Sequence, residues 1–345
     1  MYQSLIKWVE ATRIFTVSRF LYRKKISVLM YHGIRTEDDS NTLTEYNLMH
    51  VPVQQFRKQM LYLKKHYHVI SLSQAMNHIE GKRSLPNNSV VITFDDGYRN
   101  NYTLGWPVWK ELDLPVTIYA VTDFIQNQDL LWPDRLMLAI ATTTKAGFEL
   151  AINDQDLKFS LSTKQEKDEA YLCLLQMMKS MNQMCLSNTL ETIEERLRVN
   201  RDLYEEHLLS PCTWNQLKEM VSSGLVEIGA HTVGHRILTR LSEENGQKEL
   251  IESKNQIESQ LNATCAHFAY PNGSSGDFNT VTEKWVKDAG FKSAVTTIEG
   301  FNTLYSNPFT LNRLGIYGHY TPAGFASMVS GFHTILVKTL TQGHS

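Results

Sequence analysis

The stretch "SVVITFDDG" (89–97) runs an apolar segment straight into two adjacent carboxylates and a glycine. Its apolar residues are continuous rather than alternating, the pattern of a strand buried on both faces of a parallel sheet. Asp95 and Asp96 at its end are a liability. They repel each other, and burial penalises the charged form of each. One reading is an acidic turn. The other is a division of labour, in which one carboxylate holds a metal and its neighbour handles a proton.

The same rhythm recurs on either side. "ISVLMYHG" (26–33), "PVTIYAVT" (115–122), "LVEIGAH" (225–231), "AHFAYPNG" (266–273), "FKSAVTT" (291–297) and "LNRLGIYG" (311–318) read as strands. Helical patterns lie between them. "VQQFRKQMLYLKKHYH" (53–68) places Phe56, Met60 and Leu63 on one face. "TWNQLKEMVSSG" (213–224) has Thr213 as N-cap and Gly224 beyond its end. "SEENGQKELIESKNQIESQL" (242–261) begins at Ser242, with acids in its first turn. "NYTLGWPVWKEL" (101–112) and "TVTEKWVKDAG" (280–290) read as helices too. Strand–helix alternation implies a parallel sheet covered by helices. About seven such strands fit a closed or nearly closed barrel, whose functional groups sit at the C-terminal strand ends. Residues 133–211 break the rhythm. They are rich in Leu, Met, Lys, Glu and Thr, are expected to be mostly helical, and contain one histidine, His207. They read as an insertion beside the barrel mouth, or as a lid.

Four strand ends carry polar groups: His32, the Asp95–Asp96 pair, His231, and Tyr270 with Pro271. Each alone has a structural explanation; their coincidence at one rim points to a site. "GAHTVGHRIL" (229–238) sets His231 and His235 four apart, which brings two imidazoles together on a helix or in a tight turn. Two imidazoles and one carboxylate form a three-ligand set for zinc that leaves a fourth position open. The segment lacks the Glu of H-E-x-x-H, so the third ligand and the base must come from elsewhere, and the Asp pair is the available supplier. Metal, carboxylate base and imidazole acid together suit hydrolysis of an amide.

The whole-chain totals bound the setting. The chain has 345 residues, 42% hydrophobic and 20% charged, which suits a folded globular protein. A formal charge of −2 gives no overall field for nucleic acid. The four cysteines form no C-x-x-C pair, which argues against a disulfide scaffold or a cysteine zinc site. The N-terminal 1–25 segment is too interrupted by Lys7, Glu10, Arg13 and Arg19 for a signal peptide or a membrane span. It reads as an amphipathic helix, packed on the domain or lying on an anionic membrane surface. The 321–345 tail is amphipathic as well. With no clear signal peptide, the expectation is a cytoplasmic protein, either free or in peripheral contact with the inner membrane surface through the N-terminal helix and C-terminal tail.

These residues resemble the polysaccharide deacetylases of carbohydrate esterase family 4, the NodB-homology group. "TFDDG" (93–97), "HTVGH" (231–235) and "FAYPNG" (268–273) look like its first three motifs. The likeness covers roughly residues 26–132 and 213–316. It implies a distorted (β/α)7 TIM-like barrel over 26–320, interrupted by the 133–211 insertion. It implies Asp95 as general base and Asp96, His231 and His235 as ligands of a divalent metal, zinc above all, with cobalt or nickel as other occupants. It implies a Tyr270 backbone N–H for the oxyanion, and removal of N-acetyl groups from amino sugars. Two departures stand out. "AHFAYP" (266–271) lacks the Arg that orients the base in the family, although His267 lies nearby. "RLGIYGHY" (313–320) does not fit the family's C-terminal histidine motif. The poly-N-acetylglucosamine deacetylase branch draws its acid from an M-Y-H motif instead, and "MYHGI" (30–34) makes His32 the acid here, with His319 as the fallback. Trp132, at the start of the insertion, would stack on a sugar or pack under the insertion. Pro271 and Asn272 of the third motif are expected beside it at the substrate. The expected substrate is an N-acetylated polysaccharide, oligosaccharide or lipid-linked saccharide. The competing readings are a deformylase or another amidohydrolase on this fold, and an inactive carbohydrate-binding protein.

Overall fold

The computed structural model describes residues 14–36, 43–152, 155–181, 183–200 and 209–342. The first thirteen residues of the expected 1–25 helix, and His207, therefore lie outside the described residues. Seven strands build the core: β1 Ser27–Tyr31, β2 Ser89–Phe94, β3 Val116–Ala120, β4 Val226–Ala230, β5 His267–Ala269, β6 Ser293–Glu299 and β7 Leu311–Gly315. Each pairs in parallel with its sequence neighbours, and β1 pairs with both β2 and β7, so the sheet closes into a seven-stranded barrel. A two-residue strand, His68–Val69, adds to the start of β2. Closure buries both faces. That is why β1, β2 and β3 are buried along their whole lengths and read as unbroken apolar runs.

The helices form where the apolar spacing predicts them. Phe56, Met60 and Leu63 of helix Val53–His66 are all fully buried. Thr213 closes a capping box with Gln216 ahead of helix Trp214–Ser222. The Ser242 hydroxyl accepts from the Asn245 N–H at the start of helix Glu243–Leu261. "NYTLGWPVWKEL" begins as a wide five-residue turn, Asn101–Gly105, before helix Trp106–Leu112.

The insertion lies between β3 and β4. Helices Trp132–Thr142, Lys164–Lys179 and Gln183–Leu197 make most of it. It also holds an antiparallel hairpin, Gly147–Ile152 with Gln155–Ser160, where Phe148 stacks on Phe159 at 5.2 Å between centroids. The sequence reading missed that hairpin. Helix Ile14–Tyr22 packs against the C-terminal helices Pro322–Ser330 and Phe332–Gln342, with Phe15 edge-on to Phe332 at 5.8 Å. Its outer face leaves Val17, Phe20 and Leu21 exposed. Among the described residues no helix is long and apolar enough to cross a membrane.

Candidate active site

Strand β2 delivers Asp95 and Asp96 to the C-terminal mouth, and a backbone turn then separates them. Asp96 has φ +73° and Gly97 φ +90°. The left-handed conformation is uncommon for a non-glycine residue and least costly for Asn and Asp. On a pleated strand neighbours would point to opposite faces; this turn re-aims Asp96 while Asp95 stays in register.

Asp96 is the carboxylate that meets the imidazoles. Its Oδ1 lies 3.6 Å from His231 Nε2 and 3.4 Å from His235 Nε2. One ligand atom from each of the three residues falls within 4.8 Å of the others. His231 stands at the end of β4, and His235 is reached through a turn rather than a helix, with Thr232 and His235 both left-handed at φ +67° and +55°. Helix Glu243–Leu261 pins that turn: the Glu249 carboxylate accepts from the Val233 and Gly234 N–H groups at 2.8 and 2.9 Å. His231 Nδ1 lies 2.8 Å from the Ala269 carbonyl. A carbonyl only accepts, so Nδ1 carries the proton and the Nε2 lone pair faces Asp96.

The electrostatics call for a cation. Asp96 is buried, and its Oδ1 has no hydrogen-bond partner among the described residues. Burial first, then the neighbouring Asp95 and Asp134 carboxylates, push its pKa well above the carboxylate range. Burial also lowers both histidines, His235 further through the adjacent His231 ring, which keeps the imidazoles neutral as ligands must be. An orphaned buried carboxylate oxygen facing two neutral imidazole nitrogens fits a divalent metal, and a cation there would let Asp96 ionise.

Asp95 has a different environment. Arg313, fully buried on β7, grips it bidentately at 2.7 and 2.8 Å. Burial alone would raise Asp95; the Arg313 charge overrides it and holds the carboxyl well below the usual range. Arg313 is itself fixed, donating from Nε to the Thr296 carbonyl at 2.7 Å and lying over the Tyr119 ring. An arginine thus stands against Asp95, although "AHFAYP" holds none. Its signal was a lone cation inside the apolar run "LNRLGI". His267 does not substitute for it. It points to the opposite, N-terminal end of the barrel, between Ser73 Oγ at 3.0 Å and Ser293 Oγ at 2.8 Å.

A cavity of about 640 Å³ opens over these groups. His32 lines it, and burial pushes His32 down to about 4 against the opposing pull of Asp95. His319 is not brought to the cavity: it is exposed, stacks on Tyr317 and meets Tyr320 edge-on. The Tyr270 N–H, expected to face an oxyanion, donates to the Val295 carbonyl at 3.2 Å in the β5–β6 ladder, so this donor is already engaged. Trp132 lines the cavity half-buried at the start of its helix. Asn272 lines it too, but its side chain accepts from Lys179 Nζ at 3.0 Å and donates to Asp277 at 2.5 Å. Pro271 is buried behind it and does not line the cavity. Sequence reasoning also missed Asp134, buried in the insertion, hydrogen-bonded by the Tyr98 hydroxyl at 2.9 Å and pushed up by burial to about 7.

A family model described as polysaccharide deacetylase matches residues 82–294. The Bacillus subtilis (strain 168) protein YxkH, provisionally named a polysaccharide deacetylase, is 21% identical over 306 residues, covering 88% of this chain and 76% of that protein. The Escherichia coli (strain K12) poly-beta-1,6-N-acetyl-D-glucosamine N-deacetylase is 30% identical over 100 residues, 29% of this chain and 14% of that protein. Among solved structures, the Streptococcus pyogenes deacetylase PplD in complex with acetate aligns with a TM-score of 0.59 at 20% identity, covering 88% of this chain and 98% of that one. IcaB from Ammonifex degensii aligns with a TM-score of 0.56 at 17% identity, covering 89% and 97%. These two likenesses show the shared fold.

Proposed function

The chain belongs to the polysaccharide deacetylase family, and on that premise we propose that it is a metal-dependent hydrolase removing N-acetyl groups from the amino sugars of a saccharide. The observation that carries this reading is the unpartnered Asp96 Oδ1 set against His231 and His235 beside an arginine-held Asp95. The name of the Escherichia coli relative, an N-acetylglucosamine N-deacetylase, supports the choice of acyl group and sugar.

Asp96, His231 and His235 would hold the cation, zinc best suiting the donor set. Such a cation supplies Lewis acidity, polarising the amide carbonyl and acidifying a water. The chain's own groups do the rest. Arg313 keeps Asp95 ionised and fixes its plane, so a free lone pair can take the proton of the attacking water. Water oxygen bonds to the carbonyl carbon, the C–N bond breaks, acetate leaves, and the sugar nitrogen gains a proton to depart as an amine. His32, neutral when the site is at rest, receives a proton during the cycle and passes it to that nitrogen. Because the Tyr270 N–H is engaged by Val295, oxyanion stabilisation from this peptide requires that ladder bond to open.

The test is acetate release from N-acetylated oligosaccharides by the purified protein. Asp95→Asn is expected to lower kcat by about 10²–10⁴ while the protein still binds metal. Full activity in that variant rules out the mechanism. Release of formate but not acetate from matched substrates would move the chain to the deformylase reading.

A further inference from the structure

We propose that the insertion roofs the cleft and selects a short saccharide or a chain terminus carrying an apolar group, in place of the interior of a long polymer; this deepens the deacetylase reading and rests on it. Helix Lys164–Lys179 presents Tyr171, Leu175 and Lys179, spaced by four, to the cavity above the metal-binding residues. It is tied to opposite rims. Towards the β1 side, both Asp168 carboxylate oxygens accept from Thr44, its N–H at 2.8 Å and its hydroxyl at 2.6 Å. Towards the β4 and β5 side, Lys179 Nζ donates to Asn272 and the Lys179 carbonyl accepts from Arg240. A polymer deacetylated along its length needs a groove open at both ends. A helix hydrogen-bonded to both rims interrupts such a groove. The cavity volume of about 640 Å³ lies in the range that encloses a drug-sized ligand, the size of a disaccharide and not of a polymer stretch.

The lining names the second half of the substrate. The insertion side contributes polar groups, Asp134, Tyr171 and Lys179, of which Asp134 accepts from Tyr98 and Lys179 donates to Asn272, and an apolar set, Trp132, Met137, Leu175, Met181 and Leu186. Trp132 can stack on a sugar face. The other four offer no hydrogen bond to a hydroxyl, so sugar hydroxyls buried against them would lose their water partners. An alkyl chain loses nothing there, and methionines adapt to its shape. The N-acetyl group at Asp96, His231 and His235 and an apolar aglycone under the insertion are therefore the two ends of one ligand.

Binding to the metal-loaded Asp95→Asn protein and turnover by the metal-loaded native protein test this separately. Calorimetry is run with methyl and hexyl N-acetylglucosaminides. The hexyl glycoside is expected to bind about 100-fold tighter, as about four methylenes leave water. In Leu175→Gln that ratio should fall about tenfold. Turnover per N-acetyl group should decline along a series from disaccharide to long polymer, and Asp168→Asn, which loosens the tie to Thr44, should restore part of the loss. Equal affinity for the two glycosides, or undiminished turnover inside a long polymer, overturns the proposal. Absence of acetate release from every substrate would strike the deacetylase reading instead, and the calorimetric ratio would still decide this one.

Discussion

Asp95 and Asp96 are chain neighbours yet occupy opposite electrostatic worlds. One is gripped on both oxygens by Arg313; the other has a bare oxygen facing two imidazoles. Removing Arg313 leaves Asp95 as an uncompensated buried charge, which typically costs about 3–5 kcal/mol. Arg313→Met should therefore lower the unfolding free energy obtained from urea denaturation by that order. Combining it with Asp95→Asn should recover much of the loss, since the orphaned charge is gone. An additive double variant would show that the two residues are not coupled. The Asp pair was legible in the sequence because two acids and a glycine ending a buried run have few structural excuses. Its arginine was not, because it arrives 218 residues later and only closure of the barrel brings β7 beside β1 and within reach of Asp95.

At the scale of elements, the histidine turn depends on a helix residue that does not line the cavity. Glu249 reaches back from helix Glu243–Leu261 to accept from two consecutive amides of the turn, where His235 holds a left-handed backbone. Partners that orient metal ligands typically matter 10–100-fold in metal affinity. Glu249→Ala is expected to weaken zinc by about that factor in competition with a chromophoric chelator, while the barrel keeps its far-ultraviolet circular dichroism. Unchanged zinc affinity would mean that the turn holds its shape without the carboxylate. The spacing of His231 and His235 was readable; the turn between them was not, because side-chain periodicity carries no information about a backbone at positive φ. The hairpin in the insertion was missed for another reason. Phe148, Leu150 and Ile152 alternate buried with exposed neighbours as a strand should. A helix-rich composition over the whole 133–211 segment outweighed six residues of alternation.

For the molecule as a whole, the barrel was the most legible feature, because unbroken apolar strands alternating with capped helices leave few other architectures. The closed lower end adds a pH dependence that the motifs did not suggest. Burial pushes His267 down to about 4, with Glu227 opposing the shift. Unfolded, the same imidazole titrates near 6.5. The unfolded chain thus binds the proton more readily, so the contribution of His267 is full above about 6.5 and is lost as pH falls towards 4. The metal-free protein should melt lower at pH 5 than at pH 7, and His267→Gln should flatten that slope; a slope unchanged by the substitution would place its origin elsewhere. The central claim is that Asp96, His231 and His235 hold a divalent cation on which deacetylation depends. Its most direct test is acetate release from an N-acetylated oligosaccharide by native, chelator-stripped and zinc-restored protein, alongside His231→Ala. The account predicts that activity disappears on stripping, returns with zinc, and stays absent in the variant. Turnover that survives chelation, or that persists in His231→Ala, would contradict it.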